Sequence, residues 1–107
     1  MEIIEAIELK EMLEGNHDIK LVMTLGDLAF QGKHIPGSIN LHTPEDLLDQ
    51  LQPRDHIVVY CSDQLCPASM MAYHFLESRN YEHVRRFAGG LSAWEEAGFP
   101  LEGELVE

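Results

Sequence analysis

The 107-residue chain has few basic residues and no long apolar run, and each shortage excludes a class of proteins. Seven Lys and Arg residues stand against nineteen Asp and Glu residues, which gives a formal net charge of -12. Such a surface repels phosphate backbones and anionic lipids, so we predict no nucleic-acid partner. The lack of a long apolar run argues against a membrane-spanning helix. Because no basic segment followed by an apolar one precedes residue 12, we expect no signal peptide and a cytoplasmic location.

Cysteine is also scarce, since the chain has only Cys61 and Cys66. In a cytoplasmic protein such a pair is more often reactive than structural, and a disulfide across so short a loop would stabilise the fold little. Zinc sites usually need four Cys or His ligands at short spacings. The six histidines are scattered at positions 17, 34, 42, 56, 74 and 83, so we predict no metal site.

The apolar pattern alternates between strand-like and helix-like stretches along the chain. It predicts a single domain over residues 1–107 with an α/β fold, in which a small, mostly parallel sheet of about five strands is flanked by helices on both faces. The predicted strands lie at 2–5, 19–24, 38–41, 56–60 and 83–87. Predicted helices begin near residues 9, 44, 67 and 92, and a polar loop runs to residue 32 after the second strand.

Local patterns add detail to the helices and to the last strand. Thr43 and Pro44 are typical of a helix N-terminus, and Ser92 with Glu95 predicts a capping box. The two arginines at 85–86 predict a small basic spot that pairs with surface acids. The helix that opens at residue 67 has five residues on its predicted apolar face: Ala68, Met71, Ala72, Phe75 and Leu76.

The candidate site is the loop that begins with Cys61, directly after the strongest predicted strand. In open α/β sheets, ligands bind beyond the carboxyl ends of the strands. Loop N–H groups and the N-terminus of the following helix together bind anions, and such a setting lowers a thiol pKa from about 8.5 to roughly 3.5–7.5. The Cys61 thiolate could then attack a sulfur donor and carry the added sulfur as a persulfide. The remaining active-site loop residues are Ser62, Asp63, Gln64, Leu65 and Cys66.

Three segments, in this order, resemble the rhodanese-like domain family. Residues 34–41 (HIPGSINL) resemble its H-I-P-G-A/S-I-N segment, and residues 59–61 (VYC) resemble its junction between strand and cysteine. Residues 89–100 (GGLSAWEEAGFP) are similar to its closing G-G-x-x-x-W-x-x-x-G-F/Y-P segment. The resemblance extends from about residue 3 to residue 100.

The resemblance implies a parallel sheet flanked by helices, with a sulfur-carrying cysteine in a six-residue loop. Cys61 matches the persulfide cysteine, and the following five residues match the rest of that loop. His34, Gly37, Trp94 and Gly98 match scaffold positions, where we expect them to serve turn geometry, packing and loop support.

The sequence departs from the family in two places near the site. Met23, Thr24 and Leu25 stand where the family usually has an Asp-x-Arg pair, so an ion pair that often braces the site is missing. The loop also carries Asp63 and no Lys or Arg. An acid beside the cysteine tends to raise the thiol pKa and repels a dianion. We therefore predict that thiosulfate is a poorer donor than a polysulfide or a persulfide.

The loop length argues against a phosphatase. The related cell-cycle phosphatases have a loop one residue longer that ends in arginine, whereas the matching residue here is Pro67. No arginine occurs between Cys61 and Arg79, and a transferring phosphoryl group needs cationic partners. We predict neither phosphatase nor arsenate-reductase activity of that type.

Cys66 separates the functional hypotheses. In the leading one, a sulfurtransferase carries sulfane sulfur on Cys61, exchanges it with small-molecule or protein donors and acceptors, and needs no cofactor. Cys66 is then either a resolving thiol that releases sulfide and forms a Cys61–Cys66 disulfide, or a filler at the base of the loop. The alternatives are a thiol–disulfide redox enzyme or sensor and a non-catalytic interaction module with a basic partner.

Overall fold

A computed structural model of the chain describes residues 1–15 and 18–106. Its centre is a four-stranded, all-parallel sheet with the strand order β2-β1-β3-β4. The strands are β1 (Ile19–Met23), β2 (Ile39–Asn40), β3 (His56–Tyr60) and β4 (Val84–Phe87). The helices are α1 (Ala6–Glu14), α2 (Asp27–Gly32), α3 (Pro44–Gln50), α4 (Ala68–Ser78) and α5 (Gly90–Glu96).

The predicted α/β fold with a parallel sheet is confirmed, but the described residues form four strands rather than about five. The predicted first strand at 2–5 makes a single bridge, between Ile3 and Arg86. Around that bridge, Ile4 N–H donates to Arg86 O (3.1 Å) and Arg86 N–H donates to Glu2 O (2.8 Å). The segment pairs no further because the chain enters α1 at Ala6, which leaves too little extended backbone for a strand.

Two helix predictions need correction. The stretch predicted as a polar loop up to residue 32 contains α2, which has Gly26 at its N-cap and Asp27 in its first turn. Six residues are too few to show a helical apolar period, so this helix left no clear signal in the sequence. The capping box is also wrong, because Ser92 and Glu95 lie inside α5, whose N-cap is Gly89. The predicted start of α3 is confirmed, since the Asp46 N–H donates to Thr43 Oγ1 at 3.1 Å.

The core lies on both faces of the sheet, as the continuous apolar runs of the buried strands require. Along β3, Ile57 and Val59 pack toward α3 and α4, while Val58 and Tyr60 pack toward α1 and α5. Helices therefore cover both faces, as predicted. In the described residues, no helix is both long enough and apolar enough to cross a bilayer.

The buried face of α4 differs from the predicted one. Its buried residues are Ser69, Ala72, Tyr73 and Leu76. Met71 has 68% of its surface exposed, although the sequence pattern predicts it on the apolar face. The helix is turned so that two polar groups, the Ser69 hydroxyl and the Tyr73 phenol, enter the interior, where tertiary hydrogen bonds satisfy them.

Candidate active site

The loop begins at the carboxyl end of β3, which lies between β1 and β4. Thr24, just after β1, donates its backbone N–H (3.0 Å) and its hydroxyl (3.2 Å) to the carbonyl oxygen of Tyr60. The Asn40 side-chain amide donates to the carbonyl oxygens of Met23 (3.1 Å) and Leu25. Neutral hydrogen bonds thus brace the segment where the resemblance places an ion pair. No buried side-chain nitrogen or oxygen is left unpartnered in the described residues.

The N-terminus of α5 holds the loop from the opposite side. Leu91 N–H donates to Cys61 O and Ser92 N–H donates to Ser62 O, both at 2.9 Å. Loop carbonyls therefore satisfy two of the free N–H groups of this helix, which would otherwise need a capping side chain. Gly90 makes this close approach practicable, because its φ is +61° and an added Cβ would lie 2.3 Å from Cys61 O.

Two of the loop amides that the sequence assigned to a sulfur anion are occupied by Asp63. Its Oδ1 accepts the N–H of Leu65 (2.9 Å) and the N–H of Cys66 (3.2 Å). The Asp63 carboxylate therefore organises the loop from within, rather than only facing solvent. A bound anion would have to compete with this carboxylate for the same donors.

The two cysteines are free thiols, and the loop brings them together. Cys61 has only 1% of its surface exposed. Its Sγ lies 3.5 Å from Cys66 O, 3.5 Å from Ser69 Oγ and 3.9 Å from Asp63 O. Cys66 is the more exposed of the two cysteines.

The pKa values of the two thiols shift in opposite directions, and the pKa of Cys61 rises where the sequence predicts that it falls. Burial raises the pKa of Cys61 and the hydrogen bond with Cys66 raises it further, although the hydroxyl and N–H of Ser69 lower it. Burial also acts to raise the pKa of Cys66, but hydrogen bonds from Cys61, the Ala68 N–H and Ser62 outweigh it and lower that pKa. The predicted lowering of the Cys61 pKa is therefore wrong, because burial of the sulfur and its interaction with Cys66 both favour the neutral thiol. The more acidic sulfur is the one nearest the start of α4.

Arg86 is a site residue that the sequence analysis missed. It has 5% of its surface exposed, donates from Nε to Ser69 Oγ (2.9 Å) and donates from Nη2 to Gln64 O (3.4 Å). Of the two arginines, only Arg85 pairs with surface acids, at 3.7 Å from Glu2 and 3.3 Å from Glu8. The predicted pairing is therefore confirmed for Arg85 and wrong for Arg86. The alternation of side chains along β4 carried a signal, because it places residue 86 on the same face as the buried residue 84. A cation thus lies behind a loop that has none of its own.

The four residues matched to scaffold positions are built into turns and packing. Trp94 is buried, and its Nε1–H donates to Pro100 O at 2.7 Å. The His34 Nδ1 lies 2.7 Å from a backbone carbonyl oxygen of α2. Gly37 and Gly98 have φ values of +86° and +79°, which favour glycine. These contacts agree with structural roles for all four residues.

A groove of about 260 Å³ opens beside the loop, between α3 and α4. Its lining is mainly apolar and includes Leu47, Met71 and Phe75, with Thr24 and Ala68 at the end nearest the loop. Met71 therefore lines an open groove instead of the core, whereas Phe75 both lines the groove and packs against the core, as its place on the predicted apolar face requires. In the described residues, no three His, Cys, Asp or Glu side chains cluster closely enough to hold a metal ion, and His17 lies outside them.

Comparisons with known proteins agree with this architecture. A family model described as a rhodanese-like domain matches residues 5–97. A rhodanese-like domain from Anabaena is 30% identical with a TM-score of 0.84, over 98% of this chain and 81% of that one. No curated protein matches the chain.

Two further solved structures share the fold at lower identity. The polysulfide-sulfur transferase homodimer of Wolinella succinogenes is 19% identical with a TM-score of 0.79, over 97% of this chain and 80% of that one. The thiosulfate sulfurtransferase of Pseudomonas aeruginosa is 20% identical with a TM-score of 0.81, over 96% of this chain and 20% of that one.

Proposed function

Because the chain belongs to the rhodanese-like domain family, we propose that it is a sulfurtransferase that carries sulfane sulfur as a persulfide on Cys61. The observation that carries the proposal is the position of this thiol. It lies at the carboxyl end of a central parallel strand, inside a six-residue loop, with its Sγ 3.5 Å from the carbonyl oxygen of the second cysteine, Cys66. The sulfurtransferases of Wolinella succinogenes and Pseudomonas aeruginosa share this fold.

The proposed reaction is an exchange of one sulfur atom between thiols. The Cys61 thiolate attacks the outer sulfur of a donor R–S–SH, a new S–S bond forms, and the donor's S–S bond breaks. The donor leaves as R–SH, and Cys61 is left as Cys61–S–SH. An acceptor thiolate then attacks the outer sulfur, takes it as a new persulfide and releases the Cys61 thiolate.

Cys66 is proposed as a resolving thiol for the same intermediate. Its lowered pKa favours a thiolate. The loop places this residue beside Cys61, whose Sγ lies 3.5 Å from Cys66 O, which supports an attack on the inner sulfur of the persulfide. That attack would form a Cys61–Cys66 disulfide and break the bond to the outer sulfur, which leaves as hydrogen sulfide. An external thiol would then reduce the disulfide before the next cycle.

The preferred donor class is a polysulfide or a persulfide rather than thiosulfate. Asp63 places a negative charge in the loop and accepts two of its N–H donors, so a thiosulfate dianion would meet both repulsion and competition. The groove beside the loop has a mainly apolar lining and suits an organic persulfide better. We also propose a cytoplasmic setting, because reducing compartments keep such cysteine pairs as thiols.

The test is intact-mass analysis after incubation with polysulfide or thiosulfate, comparing the wild-type chain with Cys61→Ser and Cys66→Ser. We expect a gain of one sulfur atom that requires Cys61, is larger with polysulfide and persists longer in Cys66→Ser. If no donor loads Cys61, sulfur transfer is refuted, and binding to a basic partner that survives Cys61→Ser would favour the interaction module.

The presence of two free cysteines in one loop, with Cys61 Sγ 3.5 Å from Cys66 O, also favours a second candidate, a thiol–disulfide redox enzyme or sensor. The two hypotheses differ in what forms the disulfide. A redox protein would form it with an oxidant in the absence of sulfane sulfur, and its activity or binding would change reversibly. A disulfide that appears only after sulfur loading, together with released sulfide, would support sulfur transfer instead.

A further inference from the structure

Arg86 is a buried cation whose charge has no obvious counterpart. A guanidinium keeps its charge at all accessible pH values, and buried charges in proteins are normally paired. In residues 1–15 and 18–106, no carboxylate forms an ion pair with Arg86, whereas its exposed neighbour Arg85 has two. The side-chain hydrogen bonds of Arg86 go instead to the Ser69 hydroxyl and to the carbonyl oxygen of Gln64.

A two-step hydrogen-bond path joins this cation to the candidate sulfur carrier. Arg86 Nε–H donates to Ser69 Oγ at 2.9 Å, and Ser69 Oγ lies 3.5 Å from Cys61 Sγ. All three residues are buried, with 5%, 1% and 1% of their surfaces exposed. A hydroxyl that accepts a bond from a cation becomes a stronger donor, and the low local dielectric strengthens both bonds.

We propose that Arg86 is a positioning residue for sulfur transfer, and that it stabilises the anionic form of Cys61 through the Ser69 hydroxyl. The inference rests on the proposed function for its purpose. In the thiol state, the Cys61 S–H has Cys66 O as an acceptor at 3.5 Å. When the proton leaves to solvent, the sulfur can accept only, and the Ser69 O–H turns to donate to it. The buried cation then has a nearby anion, which is the state the first step requires.

The other charged or titratable groups around the sulfur act differently. On the loop, the Cys66 thiol raises the pKa of Cys61, and the Asp63 carboxylate is bonded to loop amides. The contact from α4 is the uncharged Ser69 hydroxyl, and α5 contributes the N–H of Leu91 to the Cys61 carbonyl. Among the described residues that reach the loop in this way, Arg86 is the group that favours a negative sulfur by its charge.

The test measures thiolate formation directly, by ultraviolet absorbance during a pH titration of the full chain in a Cys66→Ser background. Subtracting the titration of the Cys61→Ser/Cys66→Ser chain removes the tyrosines. Arg86→Gln should move the thiolate midpoint to higher pH, with about a tenfold loss of thiolate at a fixed pH below it. Arg86→Lys should restore part of that loss. Arg85→Gln is the matched control, since it removes the adjacent, exposed charge and should leave the midpoint unchanged.

A second pair of variants keeps the proposal testable if Arg86→Gln does not fold. Ser69→Ala removes the hydroxyl and should also move the midpoint to higher pH, whereas Ser69→Thr keeps a hydroxyl and should not. A merely structural brace would lower the free energy of unfolding in Arg86→Gln and leave the midpoint in place, and that result would overturn the proposal. The titration uses no sulfur donor, so a chain that shifts as expected yet never loads sulfur would refute the proposed function and not this inference.

Discussion

Gly90 offers a sharp test of how tightly α5 is packed against the cysteine loop. Alanine at this position is destabilising for two reasons, its backbone conformation and a steric clash of its Cβ. Its φ of +61° costs an L-residue about 1–2 kcal/mol. The added Cβ would also lie 2.3 Å from Cys61 O and 2.9 Å from the carbonyl carbon of Ser62. Both contacts are backbone atoms that cannot rotate away, and such overpacking adds about 1–3 kcal/mol. Gly90→Ala should therefore lower the free energy of unfolding by about 2–5 kcal/mol.

The matched control is Gly98→Ala. Gly98 has a similar φ of +79°, but nothing lies within 4 Å of the position its Cβ would take. Gly98→Ala should therefore lower the free energy of unfolding only by the cost of the backbone conformation, about 1–2 kcal/mol. The difference between the two variants thus measures the close approach of α5 to the loop.

Two measurements are needed for each variant: the free energy of unfolding from urea denaturation, and the rate at which the folded protein loads sulfur on Cys61. A loss of 1 kcal/mol lowers the Tm of a domain of this size by about 4–8 °C, so thermal unfolding resolves the two variants as well. Because the loop backbone must move, Gly90→Ala should also load Cys61 more slowly than Gly98→Ala does. If the two variants unfold at the same urea concentration and load sulfur equally fast, the contact between α5 and the loop has no energetic weight and the reasoning fails.

Three further predictions concern the loop and its support. Asp63→Asn keeps an acceptor for the loop amides but removes the charge, so loading from the thiosulfate dianion should rise about tenfold at low salt. Loading from an organic persulfide R–S–SH, which carries at most one negative charge, should rise less, and equal changes with both donors would contradict this. Burial and Cys66 both raise the pKa of Cys61, so the rate of sulfur loading should keep rising with pH into the alkaline range. Cys66→Ser removes one of these two causes and should shift that rise to lower pH. An unchanged pH profile would show that the two thiols are not coupled. Trp94→Phe removes the hydrogen bond to Pro100 O and should lower the free energy of unfolding, measured by urea denaturation, by about 1–3 kcal/mol. An unchanged free energy of unfolding would mean that water replaces the indole N–H.

Much of the fold followed from local features of the sequence. The strand at 56–60 is a β-branched and aromatic run, and its prediction needed no knowledge of its neighbours. Thr43 with Pro44 set the start of α3 through a hydrogen bond that spans three residues. The placement of Cys61 at a strand end and Pro67 before a helix was equally local. The predictions for the shortest elements were wrong, because α2 and the single bridge at Ile3 are too brief to show a helical or strand-like period.

The details of the site depended on contacts between distant parts of the chain. The direction of Arg86 into the loop is decided by Ser69, seventeen positions earlier, and by the sheet that buries both. The start of α5 is decided by loop carbonyls about thirty residues away rather than by Ser92 and Glu95.

The sequence by itself determined the class of fold and the position of the candidate cysteine loop, because strand, turn and cap preferences depend on a few neighbouring residues. Only the tertiary structure decided how those residues act on one another. The raised pKa of Cys61 comes from its burial, and the hidden charge behind the loop comes from the packing of β4 against α4. Desolvation and charge pairing depend on what surrounds a group in space, and residues far apart in the chain supply those surroundings.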